Sequence, residues 1–138
     1  ASNPTDARVN LGAASITHTH LADRSVISLT PINSFTAFNV NYRNSLTVFP
    51  SLKIAILEFA VARSSIPANG TTAISWSSSY TPVATNLAFS VAANLAGMTS
   101  APVILSYLDG PALKFNYPIL GGGTAITYLI GTVTFTYA

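Results

Sequence analysis

Between Arg63 and Asp109 the chain has no Asp, Glu, Lys or Arg, and so long an uncharged stretch restricts what can be built from it. The 138 residues include six basic and four acidic side chains, 7% charged against 49% hydrophobic. An ordinary soluble domain is roughly 25% charged. A surface made from so few charges must be covered by a lipid bilayer, a large partner or further copies of the chain. A bilayer-spanning helix needs about 20 predominantly apolar residues in a row. Here the apolar runs are short: Ile54 to Leu57 ends at Glu58, Pro102 to Leu105 ends at Ser106, and Ser, Thr and Asn interrupt the rest. The sequence therefore predicts no membrane partner and favours self-association.

The length fits one domain, 1–138, that buries roughly two thirds of its unfolded surface; residues 1–12 are expected to be a short flexible N-terminal segment. The absence of cysteine removes disulfides, zinc knuckles and thiol chemistry, and fits a reducing compartment. Ala1-Ser2-Asn3-Pro4 has neither Met nor a signal-like apolar core; removal of an initiator Met and cleavage from a precursor both account for it. The net charge of +2 comes from singly scattered residues, Arg8, Arg24, Arg43, Lys53, Arg63 and Lys114. Affinity for nucleic acid scales with phosphates neutralised, so each chain would bind RNA weakly.

The periodicity is that of strands. Ser15 to Leu21 alternates in period two, and Val26 to Thr30 continues until Pro31. Leu52 to Ala62 reads as a strand buried on both faces, followed by a turn at Pro67-Ala68-Asn69-Gly70. Thr71 to Trp76, Leu87 to Ala92 and Val103 to Leu108 are short strands; Asp109-Gly110-Pro111 turns the chain, and Leu113, Phe115 and Tyr117 share a face. At the C-terminus Ile126, Tyr128 and Ile130 point one way and Val133, Phe135 and Tyr137 the other, which predicts a bulge at Gly131. Gly121-Gly122-Gly123 reads as a flexible connection. Phe35, Phe38 and Tyr42 fall at helical spacing, so a short helix is expected within 33–44. About eight strands with turns between them predict an all-β sandwich or barrel.

Reactive constellations are sparse. His18 and His20 lie on one strand face, the spacing of a metal-ligand pair, but there is no third histidine, and Asp23 or Glu58 would have to complete the set. The pair is therefore read as two half-exposed strand histidines near an interface. No Gly-x-Ser-x-Gly elbow is present, and paired-carboxylate chemistry would have to draw on Asp6, Asp23, Glu58 and Asp109. The triple glycine carries no phosphate-loop lysine. The sequence is therefore read as non-enzymatic, without metal or cofactor. Asn69-Gly70-Thr71 matches a glycosylation acceptor, and a turn explains it as well. Phe49, Trp76, Tyr80 and Tyr107 are candidate packing or interface anchors, because aromatic side chains dominate such contacts.

Several of these segments also fall in a known order. Tyr42-Arg43-Asn44-Ser45-Leu46 precedes the long apolar strand, and Ser79-Tyr80-Thr81-Pro82-Val83-Ala84-Thr85 follows the next one. Ser106-Tyr107-Leu108-Asp109-Gly110-Pro111-Ala112-Leu113 then leads to Gly131-Thr132-Val133-Thr134-Phe135. Over about residues 25 to 137 this resembles the coat proteins of tymoviruses and their relatives, above all in the Tyr-Leu-Asp-x-Pro-x-Leu element.

The resemblance implies an eight-stranded jelly-roll β-sandwich with one or two short helices in its connections. It implies a capsid subunit that assembles with copies of itself, or with a related coat chain, into an icosahedral shell. The shell would enclose viral RNA held weakly and with little sequence specificity, and its place would be the virion, assembled in the host cytoplasm. Arg8, His18, His20, Arg24, Arg43 and Lys114 are then the candidates to face RNA. Two features depart from the pattern. Tymovirus chains run longer at the N-terminus, so an arm is expected to be short or absent. Where that family places histidines near the end of the last strand, this chain has Thr136 and Tyr137. The alternative from another class is a secreted carbohydrate-binding or adhesin-type β-sandwich that presents aromatics to sugar rings.

Overall fold

The computed structural model describes residues 23–138. Over that span the chain is all-β, with two facing antiparallel sheets built from ten strands. The first sheet runs β1 (Ser25–Ser28), β3 (Ser45–Phe49), β4 (Ile54–Arg63), β10 (Ala125–Thr136), β7 (Ala92–Ala96). The two-residue β2 (Thr36–Ala37) pairs with Ala62 and Val61 at the far end of β4. The second sheet runs β5 (Thr72–Ser75), β9 (Ala112–Ile119), β8 (Val103–Leu108), β6 (Leu87–Phe89). The expected strand at 15–21 lies outside the described residues, as does the segment 1–12.

Alternation along the strands makes the core. Leu46, Val48, Ala55, Leu57, Phe59, Val61, Leu129, Val133 and Phe135 point inward from the first sheet, and Ile74, Leu108, Leu113, Phe115 and Tyr117 meet them from the second. At its centre Phe59 packs edge-on against Phe89 and Phe115, each at a ring-centroid separation of 5.8 Å. Edge-to-face pairs of this kind add about 0.5–1.5 kcal/mol beyond the area they bury.

Four sequence expectations need correction. The described residues contain no helix at 33–44; the only helical turn among them is a 3₁₀ turn, Ser78–Tyr80. Asn33 and Ser34 adopt positive φ (55° and 67°), which breaks a right-handed helix. Tertiary bonds hold them there: Ile32 N–H donates to Ala73 O (2.8 Å), Asn33 Nδ2 to Thr72 O (2.9 Å), and Arg63 Nε to Asn33 O (3.1 Å). Phe35 consequently enters the core, whereas Phe38 lies against Tyr42 and Tyr128.

The second correction concerns Leu87 to Ala92, which is not one strand. The chain leaves the second sheet after Phe89 and enters the first at Ala92. Third, the register slip in β10 lies between Ile126 and Leu129, not at Gly131. Gly131 is in phase with Leu129, Val133 and Phe135, directly across the ladder from Phe59. Fourth, Gly121-Gly122-Gly123 is a tight junction and not a loose connection. Gly121 O accepts from Thr99 N–H (2.6 Å) and Ser100 N–H (3.2 Å), and a Cβ on Gly123 would lie 2.6 Å from Leu95 Cβ. A side chain at Gly121 would run into the Ser100 backbone and one at Gly123 into the Leu95 side chain, and this close approach is what requires glycine there.

The turns read from Pro67–Gly70 and Asp109–Pro111 are present. Asn69 Oδ1 accepts from Tyr117 N–H (2.8 Å), Gly70 N–H donates to Phe115 O (2.9 Å), and Asp109 N–H donates to Ala112 O (3.0 Å). The Asn69 side chain therefore serves the turn. Asn44 was not singled out from the sequence: its amide donates to Ala60 O (3.1 Å) and accepts from Ala60 N–H (2.9 Å), bridging the step between β2 and β3 along β4.

Candidate functional site

The sandwich presents two outer faces. On the first sheet Val26, Thr47, Ile56 and Thr134 follow one another across the strands, as do Ser28, Ser45, Glu58 and Thr132. Glu58 is the charge on this face, and Arg43 Nε lies 3.4 Å from its Oε2. Both partners are well exposed, so the pair adds little stability; its effect is to cancel the charge locally. On the second sheet Thr72, Lys114 and Tyr107 lie side by side, and Leu105 lies opposite Asn116. There Lys114 Nζ is bound to Asp109 Oδ2 at 2.7 Å. Over the described residues each face is thus close to neutral, Arg24 just before β1 apart, and large apolar side chains stand out from the surface, among them Val26, Val40, Val83, Val103, Leu105 and Ile119.

The candidate RNA-facing residues do not converge. Arg43 is on the outer face of the first sheet and Lys114 on that of the second, each tied to a carboxylate. Arg24 is exposed, just before β1. Arg8, His18 and His20 lie outside the described residues. Of the carboxylates that would complete a metal site with the histidines, each makes a contact of its own among the described residues, although Asp23 Oδ1 is buried there without a partner. Asp23 Oδ2 accepts from Ser51 N–H (3.1 Å) and from the Ser51 hydroxyl, while Glu58 faces Arg43. Among the described residues no three His, Asp or Glu side chains come together, and no helix is long and apolar enough to cross a membrane.

The four aromatic candidates divide equally. Trp76 and Tyr80 pack within the chain, Trp76 stacked on Phe135 (5.9 Å, 26°) and Tyr80 edge-on to Tyr137 (5.2 Å, 88°). Phe49 and Tyr107 are half-buried on the outer faces of different sheets. Tyr107 borders a concavity of about 610 Å³ lined also by Asn86, Ala88, Leu105 and Asn116. Its hydroxyl lies 3.4 Å from Asn116 Oδ1. Sequence reasoning found Tyr107 but missed the others, because β6, β8 and β9 meet only through a register that no local pattern encodes.

Two core tyrosines carry hydroxyls that are buried without a partner, Tyr117 and Tyr137. Burial raises the pKa of both above the ordinary 10.0; the Arg63 charge partly offsets this at Tyr117, while Tyr80 and Asp23 add to it at Tyr137. As pH climbs past about 10 the unfolded chain therefore ionises first. The stability contributed by the neutral phenols is full below that pH and is lost as pH rises toward their folded-state values. Tyr117→Phe removes an unpaired buried hydroxyl and one of these titrations. It should raise stability at pH 7 by about 1 kcal/mol and flatten the decline between about pH 9 and 11. Urea unfolding at both pH values measures this; a destabilised Tyr117→Phe protein would mean that the hydroxyl has a partner.

Comparison with protein-family models, with curated proteins and with solved structures finds no match.

Proposed function

We propose that the chain is a structural subunit of a closed protein shell, a capsid protein of the tymovirus-like kind, which associates with copies of itself. The observation that carries this reading is the near-neutrality of both outer sheet faces, whose charges are cancelled in the pairs Arg43–Glu58 and Lys114–Asp109. Neutral faces with protruding Val, Leu and Ile side chains suit association, since the centres of stable interfaces are depleted of charge. A shell subunit meets neighbours on several sides, which accounts for such surface on both sheets at once.

The finer jelly-roll assignment belongs to the same proposal. In the second sheet β5 lies beside β9 although three strands intervene in the chain. The long-range pairing of β5 with β9 is of the kind a Greek key makes, the unit from which jelly rolls are built, although the chain passes from β6 to β8 through β7 of the first sheet and not by a hairpin. Two features go beyond the simplest version of that roll: β8 and β9 form a direct hairpin, and β1, β2 and β3 are added to the edge of β4. RNA would be enclosed chiefly by the shell and touched weakly by dispersed cations such as Arg24, in a virion assembled in the host cytoplasm. A related coat chain is a further neighbour on this reading, and the role requires neither catalytic group nor cofactor.

Negative-stain electron microscopy of the purified full chain, with absorbance at 260 and 280 nm on the same fraction, tests the reading. Uniform closed particles are expected, with excess absorbance at 260 nm where RNA is enclosed. Small discrete oligomers with protein-like absorbance, across several salt and pH conditions, would overturn it.

A further inference from the structure

Association through the sheet faces uses protruding side chains such as Leu105, but it does not explain the concavity of about 610 Å³ beside it on the second sheet. Strands β6, β8 and β9 build it side by side. Ala88 lies directly across the ladder from Tyr107 and contributes only a methyl group, which leaves a depression between bulkier neighbours. Leu105, 52% exposed, lies opposite Asn116. Asn86, held at φ 50°, turns the chain into β6 at the rim.

The lining limits what can bind. It contains no Asp, Glu, Lys, Arg or His, and Lys114, the cross-strand neighbour of Tyr107, is neutralised by Asp109 at 2.7 Å. An anionic or cationic ligand would find no counter-charge. A wholly apolar ligand would strip water from the Asn86 and Asn116 amides and offer them nothing in return, which is costly. The Ser106 hydroxyl is already committed to Phe89 O. The Tyr107 hydroxyl, placed at Asn116 Oδ1, holds that oxygen and leaves Asn116 Nδ2 to donate elsewhere. What remains, beside Phe89, Ile104 and Ser90 at the strand edges, is the Tyr107 ring and the Leu105 side chain next to two carboxamides, in a volume typical of ligand sites (roughly 300–1,000 Å³).

We propose that this groove binds a neutral carbohydrate chain. The C–H face of a sugar ring would lie on Tyr107 and Leu105, and its hydroxyls would exchange hydrogen bonds with Asn86 and Asn116. A pyranose has this division between an apolar face and a polar rim, and it carries no charge that the groove must meet. The inference goes beyond shell formation and does not depend on it, because all the lining residues belong to one subunit.

Saturation-transfer difference NMR on the full chain tests it, since the method reads the ligand's own protons whether the protein is free or assembled. The probes are cellotetraose, chitotetraose and mannotetraose, with a sulfated heparin tetrasaccharide as the charged comparison. At least one neutral sugar should receive saturation, most strongly at its ring C–H protons. Tyr107→Ala should weaken that binding up to about tenfold, the loss expected for a removed stacking ring. Tyr107→Phe should retain most of it, and Val26→Ala, on the opposite outer face, should change nothing. Transfer to none of the neutral sugars, or to heparin alone, would overturn the proposal. So would binding indifferent to Tyr107→Ala. A Tyr107→Ala protein that changes oligomeric state while sugar binding is untouched would assign the groove to a second copy of the chain, and the proposal would fail.

Discussion

Phe59→Ala should lower the free energy of unfolding by about 3–5 kcal/mol, the range for emptying a buried aromatic site. Phe59 is 2% exposed and touches both Phe89 and Phe115, so its removal opens a cavity between the sheets and not at their rim. Its partner across the ladder makes the site more informative. Gly131 lies directly opposite Phe59 on β10, and a Cβ there would sit 2.7 Å from Phe59 Cζ and 3.1 Å from Cε1. The ring thus occupies the space that a side chain at 131 would need. Gly131→Ala should cost about 1–3 kcal/mol through overpacking, although alanine has the greater strand propensity. A double-mutant cycle decides whether the clash is the cause. With Phe59→Leu in the background, Gly131→Ala should cost about 1 kcal/mol less than in the parent. Urea midpoints at unchanged m-value measure each corner, and strictly additive costs would show that Gly131 is needed for its backbone alone.

Gly131 also shows how a sequence can indicate the right residue for the wrong reason. The opposite phases of Ile126–Ile130 and Val133–Tyr137 do report a slip in β10, and glycine is the usual marker of one. The slip lies nearer Ile126, however, because Leu129 and not Tyr128 takes the inward position. Tyr128 is drawn outward to Phe38 (5.3 Å), a contact made by a segment ninety residues earlier on a reading of sequence numbers alone. The β8–β9 hairpin was legible for the opposite reason: Asp109-Gly110-Pro111 and the alternation of Leu113, Phe115 and Tyr117 are local signals that agree. Leu87 to Ala92 was misread because its apolar run continues through the crossing from one sheet to the other. The burial on either side is similar, so composition does not record the change of sheet.

The surface was less legible than the core. The shortage of charge could be counted from the sequence, but its cancellation in the pairs Arg43–Glu58 and Lys114–Asp109 depends on strand register. Tyr107 could be named as an aromatic of interest, whereas Ala88 and Asn116 gain meaning only from lying beside β8. A face assembled from non-consecutive strands has no local signature. Core positions differ because nearly every inward residue is apolar whichever strand lies next to it, Ser106 on β8 being an exception.

Trp76→Ala should destabilise the chain by about 3 kcal/mol and loosen one segment before the rest. Trp76 N–H donates to Pro111 O (3.0 Å), its indole Nε1–H donates to Tyr80 O (2.9 Å), and its ring stacks on Phe135. These contacts fix the 3₁₀ turn Ser78–Tyr80, from which the chain continues along the C-terminal end of β10. There Tyr80 meets the Tyr137 ring, Pro82 bridges to Tyr137, and Val83 N–H donates to Thr136 O (2.9 Å). The indole is therefore the fastening of residues 77–83 to the edge of the first sheet beyond β7. Without it the exposed Ser77, Ser78 and Ser79 have only local bonds to hold them. Limited proteolysis should cut this segment at denaturant concentrations where the core remains intact, the behaviour of a locally opening unit. Trp76→Phe keeps the ring on Phe135 but loses the bond to Tyr80 O, and should cost about 1 kcal/mol with the segment still protected. Cleavage of Trp76→Ala only in step with global unfolding, followed by circular dichroism, would show that residues 77–83 are held by their β10 contacts and not by the indole.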